Sequence, residues 1–154
     1  MATQKLLLPY NFTRLDQKAL EFVINTFGKL DNIAVTVFNA YTPIPEIKAD
    51  ATFVTGKLKG NLNYLFQNIK KNEVILYEVK NKLVKAGFSE NRVNCIFRPR
   101  KKDIATEILD LTANDNFDII VLNRKHARVT RFFSVSISNK VMMNLKDLTV
   151  CIVS

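Results

Sequence analysis

Lys5-Leu6-Leu7-Leu8-Pro9-Tyr10-Asn11-Phe12-Thr13 holds the junction on which the fold turns. Lys5 to Pro9 is a short apolar run stopped by proline, and a proline cannot donate to a continuing ladder. Thr13 is followed three residues later by Asp16, a capping-box pattern that opens a helix. Leu15, Ala19, Phe22, Val23, Phe27 and Leu30 then recur at helical spacing, and Gly28 marks the helix end. The reading is strand, turn, helix.

The same alternation continues outward. Ile33 to Ala40 is rich in β-branched and aromatic residues and runs into a loop containing Pro43 and Pro45, which predicts a second strand. A long helical stretch follows, with Leu62, Leu65, Phe66, Ile69, Leu76, Val79 and Leu83 expected on its inward side, Gly87 closing it and residues 70–73 as the candidate place for a kink. Arg92 to Phe97 reads as strand three, Asp103 as the cap of a helix carrying Ile104, Ile108 and Leu111, and Phe117 to Leu122 as strand four. Ser134 to Leu145 and Leu148 to Val153 complete the pattern as a helix and a last strand. Strands alternating with helices imply right-handed crossovers and a parallel sheet covered on both faces.

Composition agrees with one globular α/β domain over residues 1–154: apolar residues are 47% and charged residues 24% of the chain, with no low-complexity tract. No apolar run approaches the roughly 20 residues of a membrane helix, and the N-terminus does not read as a secretory signal, so a cytoplasmic address without membrane contact is expected. Cys95 and Cys151 each sit in a β-like apolar run and read as core residues. With one histidine, His126, they do not form a metal-type pattern, and no metal is expected.

The absences exclude whole classes. The four glycines are Gly28, Gly56, Gly60 and Gly87, so neither GxGxxG nor GxxxxGK[ST] can be written in this chain. A phospho-acceptor receiver would need acidic residues where Tyr10, Asn11 and Arg98 stand. His126 lies among Arg124, Lys125, Arg128 and Arg131, which disfavour its protonated form, and no carboxylate is near it in sequence to orient it. No catalytic residue is assigned, and an enzyme is not expected.

The opening segment with Lys18-Ala19-Leu20 resembles the start of the universal stress protein family, where a strand ends in Pro-x-Asp-(Gly/Phe)-Ser. Asp103 to Leu109, Phe117 to Leu122, Ser136 to Val141 and Leu148 to Val153 are similar to later segments of that family, while the match is weak over 41–90. The resemblance implies an open five-stranded parallel sheet of order 3-2-1-4-5 with helices on both faces, a Rossmann-like, adenine nucleotide alpha hydrolase-like fold. It also implies a nucleotide site where strands one and four part. The positions matching that site are Pro9, Asn11 and Thr13 after strand one, and Leu122, Asn123, Lys125 and His126 after strand four. Val135, Ser136 and Ile137, at the start of the last helix, complete it. Asn11 stands where the family has aspartate, and Asn123, Lys125 or His126, and Val135 stand where it has the glycines of its phosphate loop. Glycines let backbone N–H groups reach phosphate, so these replacements predict no family-type ATP binding and no cofactor.

Two basic clusters accompany this loss. Arg98, Arg100, Lys101 and Lys102 follow strand three; Arg124, Lys125, Arg128 and Arg131 follow strand four, and the chain carries a net charge of +9. Both loops belong to the carboxyl edge of the sheet, with roots about 14 Å apart for three strand spacings. An anion site for a small molecule, nucleic acid or acidic protein and a merely solubilising surface both stand open. The last strand, with Leu148, Val150 and Ile152 alternating with Thr149, Cys151 and Val153, is apolar on both faces yet falls at a sheet edge. A homodimer paired through it is expected. Three functions follow: a non-enzymatic stress-response homodimer, an adenine-nucleotide binder with an altered phosphate loop, and a basic anion- or nucleic-acid-binding module.

Overall fold

The structure, a computed structural model, describes residues 2–45, 56–124 and 137–154. Its order is β1 (Gln4–Pro9), α1 (Arg14–Phe27), β2 (Ile33–Tyr41), α2 (Gly56–Lys85), β3 (Val93–Pro99), α3 (Ile104–Asp115), β4 (Ile119–Asn123), α4 (Ile137–Asn144) and β5 (Thr149–Val153). The strands form one sheet in the order β3-β2-β1-β4-β5, and every pair is parallel. The expected fold class and strand order are both present.

Alternation along each strand divides the core between two faces. Leu6, Leu8, Val35 and Val37 pack with Val23 of α1 and Leu76 and Leu83 of α2. Leu7, Phe38 and Ile120 face the other way, against Ile108 and Leu111 of α3 and Val141 of α4. Burying each such side chain stabilises the fold by about 1.5–3 kcal/mol. At the ends of α1 and α2 the backbones meet closely: Gly87 has φ +117, and a Cβ there would lie 2.8 Å from the Gly28 carbonyl oxygen. Only glycine combines that conformation with that approach.

The strand order puts a crevice between the ends of β1 and β4, and one local feature stops their ladder short of it. The β1 residues with even numbers address β2, as Gln4 N–H to the Asn32 carbonyl (2.8 Å) and Tyr10 N–H to the Phe38 carbonyl (2.8 Å) show. The odd ones address β4, where the Lys5 carbonyl accepts from Asp118 N–H at 2.9 Å. Pro9 occupies the next β4-facing position after Leu7 and has no N–H to give. The β1–β4 register accordingly contains Leu6 with Ile119 and Leu7 with Ile120 and stops there. Beyond that point no ladder pairing joins the two strands.

The inward side of α2 departs from expectation. Leu76, Val79 and Leu83 are buried, whereas Leu65 and Phe66 are exposed at 42% and 53%. The cause is length: the 30 residues of α2 span about 45 Å, more than the reach of the strands that α2 covers, about 23–30 Å at 3.3 Å per residue. The apolar pattern continues, but the sheet beneath it does not. The helix itself runs unbroken through residues 70–73. Of the expected last helix, Ile137–Asn144 is helical, and 134–136 lie outside the described residues.

The two cysteines sit on β3 and β5, the opposite edges of the sheet. Four strand spacings, about 19 Å, separate them. Burial pushes both thiols up from their ordinary pKa. They are half-buried and free. Among the described residues no helix is long and apolar enough to cross a membrane.

Candidate functional site

Where β1 and β4 part, the carboxyl edge of the sheet encloses a cavity of about 510 Å³. Its walls come from the β1–α1 turn, the ends of β2 and β4, and the first turns of α3 and α4. Phe38, Ala40, Ile104, Ile108, Leu122 and Ile137 make it largely apolar.

The polar wall is organised around Asp16. The Thr13–Asp16 capping box forms as expected: Thr13 N–H donates to Asp16 Oδ2 (3.0 Å) and Asp16 N–H to Thr13 Oγ1 (3.2 Å). Thr13 Oγ1 also bonds Asp16 Oδ2 at 2.6 Å. The other carboxylate oxygen, Oδ1, accepts from the side-chain amide of Asn123. Asp16 is buried, with both its oxygens engaged. At the end of β2 Asn39, also buried, donates Nδ2–H to the Tyr10 carbonyl at 2.8 Å. The β1–α1 turn between them passes through Phe12 with φ +60, and its ring meets Tyr10 edge-on with centroids 5.5 Å apart.

Six of the predicted site positions, Pro9, Asn11, Thr13, Leu122, Asn123 and Ile137, line this one cavity. Lys125, His126, Val135 and Ser136 lie outside the described residues. Sequence reasoning missed Asp16 as a site residue, treating it only as a cap, and missed Phe38, Asn39 and Ile108. Asn39 had a visible signal, as an amide inside the apolar strand Ile33–Tyr41. Among the described residues there is no group of three or more His, Cys, Asp or Glu side chains able to hold a metal.

The basic loop after β3 lies at the expected edge, and its cations are largely engaged by the protein itself. Glu107, buried on α3, accepts from the backbone N–H of Lys101 (2.7 Å) and Lys102 (3.0 Å) and pairs with Arg98 at 3.5 Å. Those backbone bonds hold its carboxyl below the usual range. The Arg98 guanidinium also sits 5.4 Å from the centre of the Phe38 ring. Lys102 pairs with Asp110 at 2.9 Å, and Arg100 donates to Thr42 Oγ1 at 3.2 Å. Of the second cluster, Arg124 is exposed, and its backbone N–H bonds the Val153 carbonyl at 2.8 Å. Lys125, Arg128 and Arg131 lie outside the described residues.

The last strand is a half-exposed sheet edge, with Ile152 39% exposed. Leu148 precedes β5 and packs against the α3–α4 side of the core. Thr149 N–H bonds the Asp118 carbonyl (2.8 Å) and the Val153 carbonyl accepts from Arg124 (2.8 Å), so 149, 151 and 153 address β4. By alternation, the N–H and C=O groups of Val150 and Ile152 point to the open edge.

No protein-family model matches the sequence, and no curated protein matches it significantly. Solved structures do match in fold. Hypothetical protein MJ0577 is 18% identical with a TM-score of 0.70, the match covering 99% of this chain and 96% of that one. A universal stress protein in complex with cAMP is 16% identical, with a TM-score of 0.64 and coverage of 99% and 98%. The universal stress protein of Archaeoglobus fulgidus in complex with dAMP is 14% identical, with a TM-score of 0.65 and coverage of 100% of both chains. Strand order, the crevice between the ends of β1 and β4 and these full-length matches agree: the chain is built on the universal stress protein fold.

Proposed function

We propose that this protein is a non-enzymatic, universal stress protein-like binding module that acts in the stress response as a cytoplasmic homodimer. In this reading its switch-point cavity takes a nucleoside-sized ligand without the family-type grip on ATP. The observation that carries it is the cavity of about 510 Å³, of a volume suited to a small ligand, at the place where open α/β sheets bind ligands. Similar folds hold cAMP and dAMP, which supports a nucleoside part. The sequence supplies no glycine after Gly87 to build a phosphate cradle. A non-catalytic role is supported by Asp16, whose oxygens are taken by Thr13 and Asn123. The open β5 edge supports the dimer.

The reading of the β3 loop as an anion site is weakened by Glu107 and Asp110, which already engage Arg98 and Lys102. Thermal-shift titration with adenosine, AMP, MgATP and inorganic phosphate tests the proposal, since a ligand that binds the folded state raises stability by mass action. Adenosine should stabilise the protein, MgATP should add nothing over adenosine, and phosphate should have no effect. Absence of any response, or a response specific to MgATP, would overturn it.

A further inference from the structure

The longest helix carries an apolar seam that the sheet covers only in part. In α2 Leu62, Ile69, Leu76 and Leu83 recur every seven residues, and Leu65 and Val79 fall in the second position of that repeat, with Asn72 between them. Leu76, Val79 and Leu83 are buried against the sheet. Toward the N-terminus of the helix Leu62 and Ile69 are half-buried, and Leu65, with Phe66 beside it, is exposed. The helix follows β2 and runs unbroken, so this half projects past the carboxyl edge of the sheet. A seven-residue repeat drifts by only about 20° per heptad on a straight helix, so over two heptads the seam still faces the side on which Leu76 and Leu83 meet the sheet. Its charge is one-sided too. Between residues 56 and 72 stand Lys57, Lys59, Lys70 and Lys71, and no acidic residue. Among the described residues no carboxylate pairs with these lysines. Lys57 and Lys59 belong to the first turn, where the helix dipole disfavours a cation, so they add nothing to the helix itself.

We propose that this overhanging half of α2 is a docking surface for an acidic amphipathic helix of another protein. The stretch 56–72 is about 25 Å long, room for a short partner helix to lie along it. An apolar repeat of seven accepts the side chains of a second helix, and carboxylates flanking those side chains meet the lysines. A second copy of the overhang brings the same lysines and no acid to the same place, so like charges oppose self-pairing. A flat anionic bilayer is opposed by shape: the seam faces the side that the sheet occupies, so the loops of the carboxyl edge meet the membrane first. The surface is separate from the cavity between β1 and β4, none of whose lining residues belongs to α2.

Fluorescence anisotropy with the full chain and two labelled amphipathic peptides tests it, both with leucine in the seven-residue repeat, one flanked by glutamate and the other by lysine. The glutamate peptide should bind at micromolar concentration and more weakly as salt rises, and the lysine peptide should not bind. Leu65→Asp should weaken the glutamate peptide at least about tenfold, the scale of one central apolar anchor. Tyr77→Ser, at an exposed position further along the same helix, should not. Lys57→Glu, Lys59→Glu, Lys70→Glu and Lys71→Glu together should exchange the preference between the two peptides, a gain that a misfolded variant cannot give. Binding of neither peptide, equal binding of both, an undiminished affinity in folded Leu65→Asp, or no exchange in the folded fourfold variant overturns the inference. Sedimentation, and vesicles of phosphatidylcholine with phosphatidylserine, address the other occupants. Self-association or vesicle binding that Leu65→Asp abolishes overturns the inference in favour of a second copy or a membrane.

Discussion

Asn123, at the tip of β4, donates its side-chain amide to the buried carboxylate of Asp16 in the first turn of α1, joining positions 107 apart in sequence. The bond ties together the two elements between which the sheet opens. Asp16 is thus both the reciprocal partner of the Thr13 cap and the fixed point of the cavity wall.

Asp16→Ala should destabilise the protein by about 2–4 kcal/mol, the loss of a cap together with the stranded Asn123 amide. Asn123→Ala should cost less, about 1–2 kcal/mol, because Asp16 keeps its Thr13 bonds. Urea denaturation of the two single variants and the double variant measures the coupling. Strictly additive effects would mean that the two side chains do not interact in solution.

MgATP should not bind at micromolar concentrations, and Asn11→Asp should not restore it. A carboxylate after β1 supplies a contact for the nucleoside part only, while the positions of the phosphate loop, Asn123 among them, carry Cβ atoms. Calorimetry of both proteins decides the matter, and micromolar MgATP binding by either one contradicts the argument.

Asp103 caps α3 by accepting from Thr106 N–H (2.9 Å) and Oγ1 (2.8 Å) and also receives Lys140 of α4 at 3.1 Å. The Thr106 backbone bond, the Thr106 hydroxyl and Lys140 together lower its pKa to about 2. A folded value below the unfolded one, about 3.9, stabilises the fold above that unfolded value, and the contribution fades as pH falls toward about 2. The urea midpoint should therefore drop between pH 5 and pH 2 by more in the unsubstituted protein than in Asp103→Asn. Parallel curves for the two would show that Asp103 is not the titrating group.

A homodimer should form through β5, and Val150→Pro should shift it toward monomer. Thr149 and Val153 make the bonds to β4, so the Val150 N–H lies on the open side and its loss spares the internal ladder. Sedimentation at tens of micromolar checks both statements. A monomeric unsubstituted protein would remove the dimer reading, and a Val150→Pro protein as dimeric as its parent would remove β5 from the interface.

The alternating pattern, the Thr13–Asp16 cap and the stop at Pro9 were legible in the chain itself because each depends on residues within one or two turns of one another. Periodicity and cap chemistry are local. Pro9 even determines how far β1 can pair with β4, since a missing N–H is a property of the residue and not of its surroundings. The absence of phosphate-loop glycines is likewise a statement about composition. Other features were decided only by tertiary structure. Glu107 and Asp110 give Arg98 and Lys102 ion-pair partners at the surface, because α3 folds back beside the loop that precedes it. Leu65 and Phe66 belong to a stripe that sequence reads as inward, and the sheet ends before reaching them. The direction of the Asn39 and Asn123 amides depends on partners 29 and 107 positions away, which no local pattern records. A side chain's type is written in the sequence, but which of its atoms is left unpaired depends on what the folded chain brings beside it.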